Sequence, residues 1–301
     1  MIWLFIIKGE FMYKKYNIID KNILIDIPLK YDESKEFNQF VSNFNNEYDI
    51  KFNFIQLKNI IERDSKVLFK ENFIKGYKEK EGYIREFYSE YQLEPYGFMN
   101  EKITNKQCNV FLYPSAKDIV LTTKKVFDMI GIESYFYKEN TFILHSSYIK
   151  WNNKAILFSG PSGIGKSTQA SLWQDSEMAE IINGDRCAIN KKNGEWHAYG
   201  LPYAGSSKVY KNTTTPILAV VILNQGKENT LIKLDYINAF KSMYRQTTIN
   251  IWNDEFIDII TKLLEEFIMQ VPVYMLTCKP NYTAVEILKR ELEGSKSWGV
   301  I

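Results

Sequence analysis

The sequence predicts an α/β protein in two parts, a small α+β unit over residues 1–118 and a larger α/β domain over residues 119–301. Three observations support this. Short runs of alternating apolar and polar residues dominate the first part. A strand-like run leads through a glycine-rich turn into a helix-compatible stretch at residues 154–173. Beyond it, PILAVVIL at residues 216–223 is apolar enough for a strand covered on both faces. No flexible linker marks the boundary near residue 118.

Taken in order, residues 16–28 (YNIIDKNILIDIP) read as two strands around an Asp-Lys-Asn turn. Phe37, Phe40, Val41 and Phe44 recur at helical spacing and predict an amphipathic helix over residues 33–44. Ile50, Phe52 and Phe54 alternate with polar residues as in a half-buried strand, and residues 83–93 and 107–113 read as further strands. A helix over residues 122–130 closes at Gly131. Residues 142–150 and 154–159 form strands joined by a Trp-Asn-Asn turn. After the glycine loop come a helix, the strand-like EIINGD and two more strands. A helix over residues 254–269, a strand over 271–277 and a helix from Asn281 as N-cap to Gly294 complete the chain.

Composition narrows the function classes. The 301 residues are 45% apolar and 25% charged, the profile of a globular protein with a substantial core. Basic and acidic residues number 38 and 36, with no basic arm or stripe, which argues against a nucleic-acid partner. Cys108, Cys187 and Cys278 are irregularly spaced and form no CxxC pair, as expected of core residues in a reducing cytoplasm. The apolar start MIWLFII is too short to span a bilayer and lacks a basic n-region and cleavage site. It reads as an over-extended start, with Met12 an alternative to Met1, or as a loose first strand; no other window predicts a membrane segment.

The strongest motif is Gly160-Pro161-Ser162-Gly163-Ile164-Gly165-Lys166-Ser167, followed by Thr168, which fits GxxxxGK[ST] at every fixed position. The chemistry needs these residue types. Glycines let backbone N–H groups converge on phosphates at a helix N-terminus. Lys166 reaches the β- and γ-phosphates of ATP, and the Ser167 hydroxyl takes a position on Mg2+. A chance match in a chain of this length is on the order of 1 in 100, and the strand-then-helix context lowers that further. No NKxD stretch for guanine and no hhhhDE strand of the ATPase type accompanies it.

Upstream and downstream of the loop stand His145 and Asp185, with His197 the only other histidine. FILHSSYIKWNNKAILFSGPSGIGKST, then IINGDRCAI, then HAYGLPYAGSS resembles the catalytic domain of HPr kinase/phosphorylase. It resembles more closely the HPr-kinase-like proteins found beside bacterial peptide-modification genes, including kinases of serine in lasso-peptide precursors. The likeness covers about residues 120–290. It implies a phosphoenolpyruvate-carboxykinase-like P-loop fold, with a mixed sheet carrying the loop at one edge. It also assigns His145 to the family's upstream histidine, Lys166 and Ser167 to its phosphate and metal residues, and Asp185 to its acidic pair as base or metal anchor.

The chain departs from that pattern in three places. The acidic pair is reduced to Gly184-Asp185, His197 stands where a glutamate is expected, and the basic C-terminal signature of the phosphorylase reaction is missing. HPr is therefore not the expected acceptor. The expectation is an ATP- and Mg2+-dependent kinase of a Ser or Thr hydroxyl in a peptide or small protein, a ribosomal peptide precursor among them. The alternatives are a non-catalytic nucleotide-binding module of a peptide-modification assembly and a small-molecule kinase. Both histidines are expected in the site. Arg186 is read as a charge stabiliser or a surface ion-pair residue, Ser206, Ser207 and Lys208 as an acceptor-facing or plain connecting loop, and Arg245 as a solvated helix residue. The acceptor, any homo-oligomer and the role of residues 1–115 are not legible.

Overall fold

The computed structural model describes residues 6–7, 11–28, 31–32, 35–45, 47–71, 73–80, 82–90, 92–202 and 208–294. The protein is of the mixed α/β class and divides into two compact units, residues 1–135 with 250–254 and residues 136–249 with 255–301. The division falls later than residue 118, so the helix Thr123–Ile130 belongs to the first unit.

The first unit contains β1 (Ile6–Ile7), β2 (Phe11–Ile18), β3 (Lys21–Pro28), β4 (Tyr31–Asp32), β5 (Ile50–Leu57) and β6 (Val67–Glu71). It continues with β7 (Ile74–Glu79), β8 (Gly82–Ser89), β9 (Gln92–Asn100), β10 (Gln107–Leu112) and β11 (Leu121–Thr122). Among the described residues one sheet runs β2-β3-β5-β10-β9-β8-β7-β6 with β1 beside β5, and β4 pairs with β11. β5 is parallel to both β3 and β10; the other pairings in this sheet are antiparallel. The helix Thr123–Ile130 starts on the Thr122 side chain, which accepts from the Lys125 N–H, and ends at Gly131 in the left-handed region. Glycine is doubly required there, because a Cβ would stand 1.7 Å from Nη2 of the buried Arg85. Arg85 is held by Glu133 at 2.7 Å and Glu101 at 2.8 Å.

Two expectations in this unit need correction. Instead of a helix over residues 33–44 the chain makes a single 3-10 segment, Lys35–Gln39, and then lies along β2. The Asn17 N–H donates to the Phe40 carbonyl and the Ser42 N–H to the Lys15 carbonyl, so the edge of β2 takes the backbone groups a helix would use. Glu33 and Ser34 lie outside the described residues. The single strand expected at residues 83–93 is a hairpin, β8 and β9, and β6 and β7 were not expected at all. Their sequences, VLFKE and IKGYKE, dilute the apolar alternation with charge.

The second unit carries β12 (Thr141–Trp151), β13 (Lys154–Ser159), β14 (Glu180–Asn183), β15 (Arg186–Lys192) and β16 (Glu195–Gly200). β17 (Thr214–Gln225), β18 (Thr230–Lys233) and β19 (Val273–Cys278) complete its sheet. Among the described residues the order is β13-β12-β15-β16-β17-β19-β18, with β14 on β12 and a further pairing of β13 with β17. The sheet is mixed: β13–β17 and β17–β19 are parallel, and the rest are antiparallel.

Period-2 alternation explains how both faces are covered. Leu157, Val220 and Ile222 pack on one face with Phe256, Ile260, Leu264 and Phe267 of the helix Asp254–Gln270 and Met243 of the helix Tyr236–Gln246. Ile156, Phe158, Ala219 and Val221 pack on the other with Trp173 of the helix Lys166–Glu177 and Leu288 of the helix Tyr282–Gly294. The β17 run is thus buried on both faces, as its composition predicts, and Asn281 caps the last helix by accepting the Ala284 N–H at 3.3 Å. No helix among the described residues is long and apolar enough to cross a membrane.

Trp173 is fully buried, edge-on to Trp151 at 5.1 Å and against Phe158. Trp173→Ala is expected to cost about 3–5 kcal/mol, read as a lowered midpoint in denaturant unfolding. A loss under 1 kcal/mol (about the cost of a volume-conserving swap) would mean that the helix behind the glycine loop is not anchored through this ring.

Candidate functional site

The site is built on β12, which is paired along both edges. On one edge β13 runs antiparallel to it, with Ser146 opposite Ser159, so the glycine loop leaves the sheet beside His145 and Ser146. On the other edge run β14 and then β15, with Tyr148 opposite Asn183 and His145 opposite Arg186. Gly184 and Asp185 interrupt that run facing Ser146 and Ser147: the Ser146 N–H donates to the Asp185 carbonyl and the Ser147 hydroxyl to the Gly184 carbonyl. His145 therefore lies between the start of the glycine loop and the Asp185 turn. The Ser159 hydroxyl donates to the His145 carbonyl at 2.8 Å and ties the two sides together.

In the loop, Gly160, Gly163 and Gly165 have φ of +144°, +77° and +114°, a region costly for other residues. Cβ atoms built on Gly163 and Gly165 would meet nothing within 4 Å, so open space faces the loop at both positions. Pro161, Ser162, Ser167 and Thr168 are exposed, whereas Ile164 packs into the core. Gly165 stands at the N-cap of the helix Lys166–Glu177 and offers no side chain to its first N–H groups, which leaves an anion-binding end.

Lys166 is buried, and its Nζ donates to the carbonyls of Gly160 at 2.9 Å and Pro161 at 3.1 Å. Burial lowers its pKa, partly offset by the Asp185 carboxylate. His145 Nε2 lies 3.5 Å from Asp185 Oδ1, and Arg186 Nε lies 3.6 Å from Oδ2. The His145 imidazole holds the Asp185 carboxyl below its ordinary range against the opposing effect of burial, with Arg186 and Lys166 adding to the depression. One carboxylate thus serves three basic neighbours.

The structure brings His145, Lys166 and Asp185 together at the mouth of the loop, but not His197. In β16 that residue pairs with Asn190, which pairs with Thr141, four rungs along β12 from His145 and about 13 Å away along the strands. The expectation of both histidines in one site is therefore corrected. The His197 ring contacts only its own strand's Glu195 carbonyl at 3.0 Å among its described hydrogen bonds. Arg245 is exposed in the last turn of its helix, as expected. Lys208 is exposed, while Ser206 and Ser207 lie outside the described residues.

Sequence reasoning missed Asn183, Ser146, Ser147 and Ser159, all fully buried around the turn. Asn183 precedes Gly-Asp, and an Asx-turn was the available signal. Among the described residues no group of three or more His, Cys, Asp or Glu is arranged to hold a metal ion by itself. The exposed Ser167 hydroxyl in the loop and the Asp185 carboxylate near Lys166 are oxygens of the kind that a hard cation takes.

No protein-family model matches the chain, and no curated protein matches it. Among solved structures it is similar to the HPr(Ser) kinase/phosphatase from Coxiella burnetii, at 10% identity and a TM-score of 0.32. That match covers 52% of this chain and 98% of the other.

The depressed Asp185 pKa has a signed consequence for stability. Its folded-state value lies below the ordinary 3.8, so the ionised carboxylate stabilises the fold fully above that pH. The contribution is lost as the pH falls through 3.8 towards the folded-state value. In pH-dependent unfolding, Asp185→Asn is expected to lose less stability than wild type over that acid window. Parallel acid profiles for the two proteins would remove the charged cluster from the folded state.

Proposed function

We propose that this chain is an ATP- and Mg2+-dependent phosphotransferase that moves the γ-phosphoryl group onto a Ser or Thr hydroxyl of a peptide or small protein. The observation that carries the reading is the open, left-handed glycine loop whose buried lysine lies beside a carboxylate–histidine pair. The backbone N–H groups of residues 163–168 and Lys166 hold the phosphates, and Lys166 exchanges its two carbonyl partners for phosphate oxygens. Ser167 and Asp185 would hold Mg2+, which when bound would neutralise phosphate charge.

The acceptor oxygen forms its bond to the γ-phosphorus as the bond to the β–γ bridging oxygen breaks. ADP leaves, and the hydroxyl proton passes to Asp185. A carboxylate with a depressed pKa is a modest base, which suits a loose transition state in which positioning and charge neutralisation do most of the catalysis. His145 orients the γ-phosphate or the acceptor. The choice of a peptide serine as acceptor rests on the resemblance of residues 120–290 to HPr-kinase-like proteins of peptide-modification genes.

Purified protein incubated with γ-labelled ATP, Mg2+ and a serine-containing peptide encoded beside its gene is expected to label the peptide. Lys166→Ala is expected to abolish transfer and weaken MgATP binding about 10–100-fold, the worth of a charge-assisted hydrogen bond. Asp185→Asn is expected to spare MgATP binding and cut transfer by about 10²–10⁴-fold. Tight MgATP binding with no transfer to the peptide or to free serine or threonine would leave a nucleotide-binding module of a modification assembly. Full activity of the Asn variant would remove Asp185 from the chemistry.

A further inference from the structure

We propose that Asn183 is the positioning residue of this site: its buried side-chain amide fixes the turn that presents Asp185 to Lys166 and His145. The inference rests on the reading of Asp185 as the phosphotransfer carboxylate.

A complete accounting of the turn supports it. Where β14 stops and β15 has not begun, the ladder to β12 is broken at Gly184 and Asp185, so their polar groups need other partners. The Gly184 N–H donates to the Val209 carbonyl at 3.3 Å, and the Gly184 carbonyl accepts the Ser147 hydroxyl at 3.1 Å. The Asp185 carbonyl accepts the Ser146 N–H at 3.0 Å. The two remaining donors, the N–H groups of Asp185 and Arg186, both go to Asn183 Oδ1, at 2.8 and 3.0 Å.

The amide is itself held. Asn183 is 0% exposed, and its Nδ2 donates to the Leu201 carbonyl at 2.9 Å. Its orientation is chemically forced, because a flipped amide would set its NH2 against two N–H donors and its oxygen against a carbonyl. With the backbone saturated on every side, Asp185 keeps only its side-chain torsions, and these already point the carboxylate at His145 Nε2. A plain turn would need an asparagine for its backbone preference alone. This one uses both ends of the amide, and the residue it steadies is the carboxylate of the site.

The test compares wild type with Asn183→Ala, Asn183→Ser and Ser147→Ala in the full chain. The Ser hydroxyl at 183 keeps one acceptor for the turn, and Ser147→Ala removes a single hydroxyl from Gly184. Three quantities are measured: the MgATP dissociation constant by calorimetry, MgATP turnover with a serine peptide, and hydrogen exchange of the Asp185 and Arg186 backbone amides by NMR. Asn183→Ala is expected to leave the dissociation constant within about twofold while turnover falls about 10–100-fold, the cost of an ångström-scale misplacement. The Asp185 and Arg186 amides, having lost their common acceptor, then exchange faster, and Asn183→Ser recovers part of both changes.

Unchanged exchange of the Asp185 and Arg186 amides in a folded Asn183→Ala protein overturns the proposal. So does an equal loss of MgATP affinity and turnover, the mark of a merely structural role. If the alanine variant does not fold, Asn183→Ser and Ser147→Ala are judged by the same two criteria. Failure of wild type to bind MgATP would sink the phosphotransfer reading instead, and amide exchange, which needs neither nucleotide nor acceptor, would still decide whether Asn183 holds the Asp185 turn.

Discussion

Everything at the site depends on one strand being paired along both edges at once. β12 meets β13 on one side and the interrupted β14–β15 run on the other, at the same level. That register brings the last residue before the glycine loop and the carboxylate turn to neighbouring rungs, although they stand far apart in the chain. A slip of one residue on either edge would turn His145 or Asp185 to the opposite face. The buried serines resist such a slip, because Ser147 and Ser159 each spend a hydroxyl on a specific carbonyl across the ladder. Core packing on both faces then supports the sheet that carries these rungs.

Electrostatics complete what register begins. Lys166, His145 and Arg186 surround one carboxylate, and each lowers its pKa. This arrangement keeps Lys166 near a negative charge despite its burial, which reduces the cost of an ammonium group out of water. Gly184, beside that carboxylate, contributes a carbonyl to Ser147 and a compact turn.

How much could be read from the sequence follows the strength of the local constraint. The glycine loop was legible because its conformation admits few residue types: Gly160 and Gly165, the two glycines that the motif fixes, both have positive φ, as does Gly163. The both-faces-buried β17 and the helices Asp254–Gln270 and Tyr282–Gly294 were legible from periodicity and capping. β6 and β7 were not, because VLFKE sets three apolar residues in succession and IKGYKE has only two large apolar side chains in six, so neither alternates. The residues 33–44 carry a genuine helical spacing, yet the open edge of β2 outcompetes it for backbone hydrogen bonds. The local Asx-turn of Asn183 was read as a turn signal alone. The serines escaped notice because their partners lie elsewhere in the sheet, and only the register reveals them. His197 was misplaced for the same reason.

The separation of the two histidines gives the molecule a built-in pair of spectroscopic reporters. His145 sits against the carboxylate at the loop, while His197 occupies a distant rung. With only two imidazoles in 301 residues, their ring proton signals are resolvable without labelling. One signal senses whatever enters the loop, and the other serves as an internal reference in the same tube.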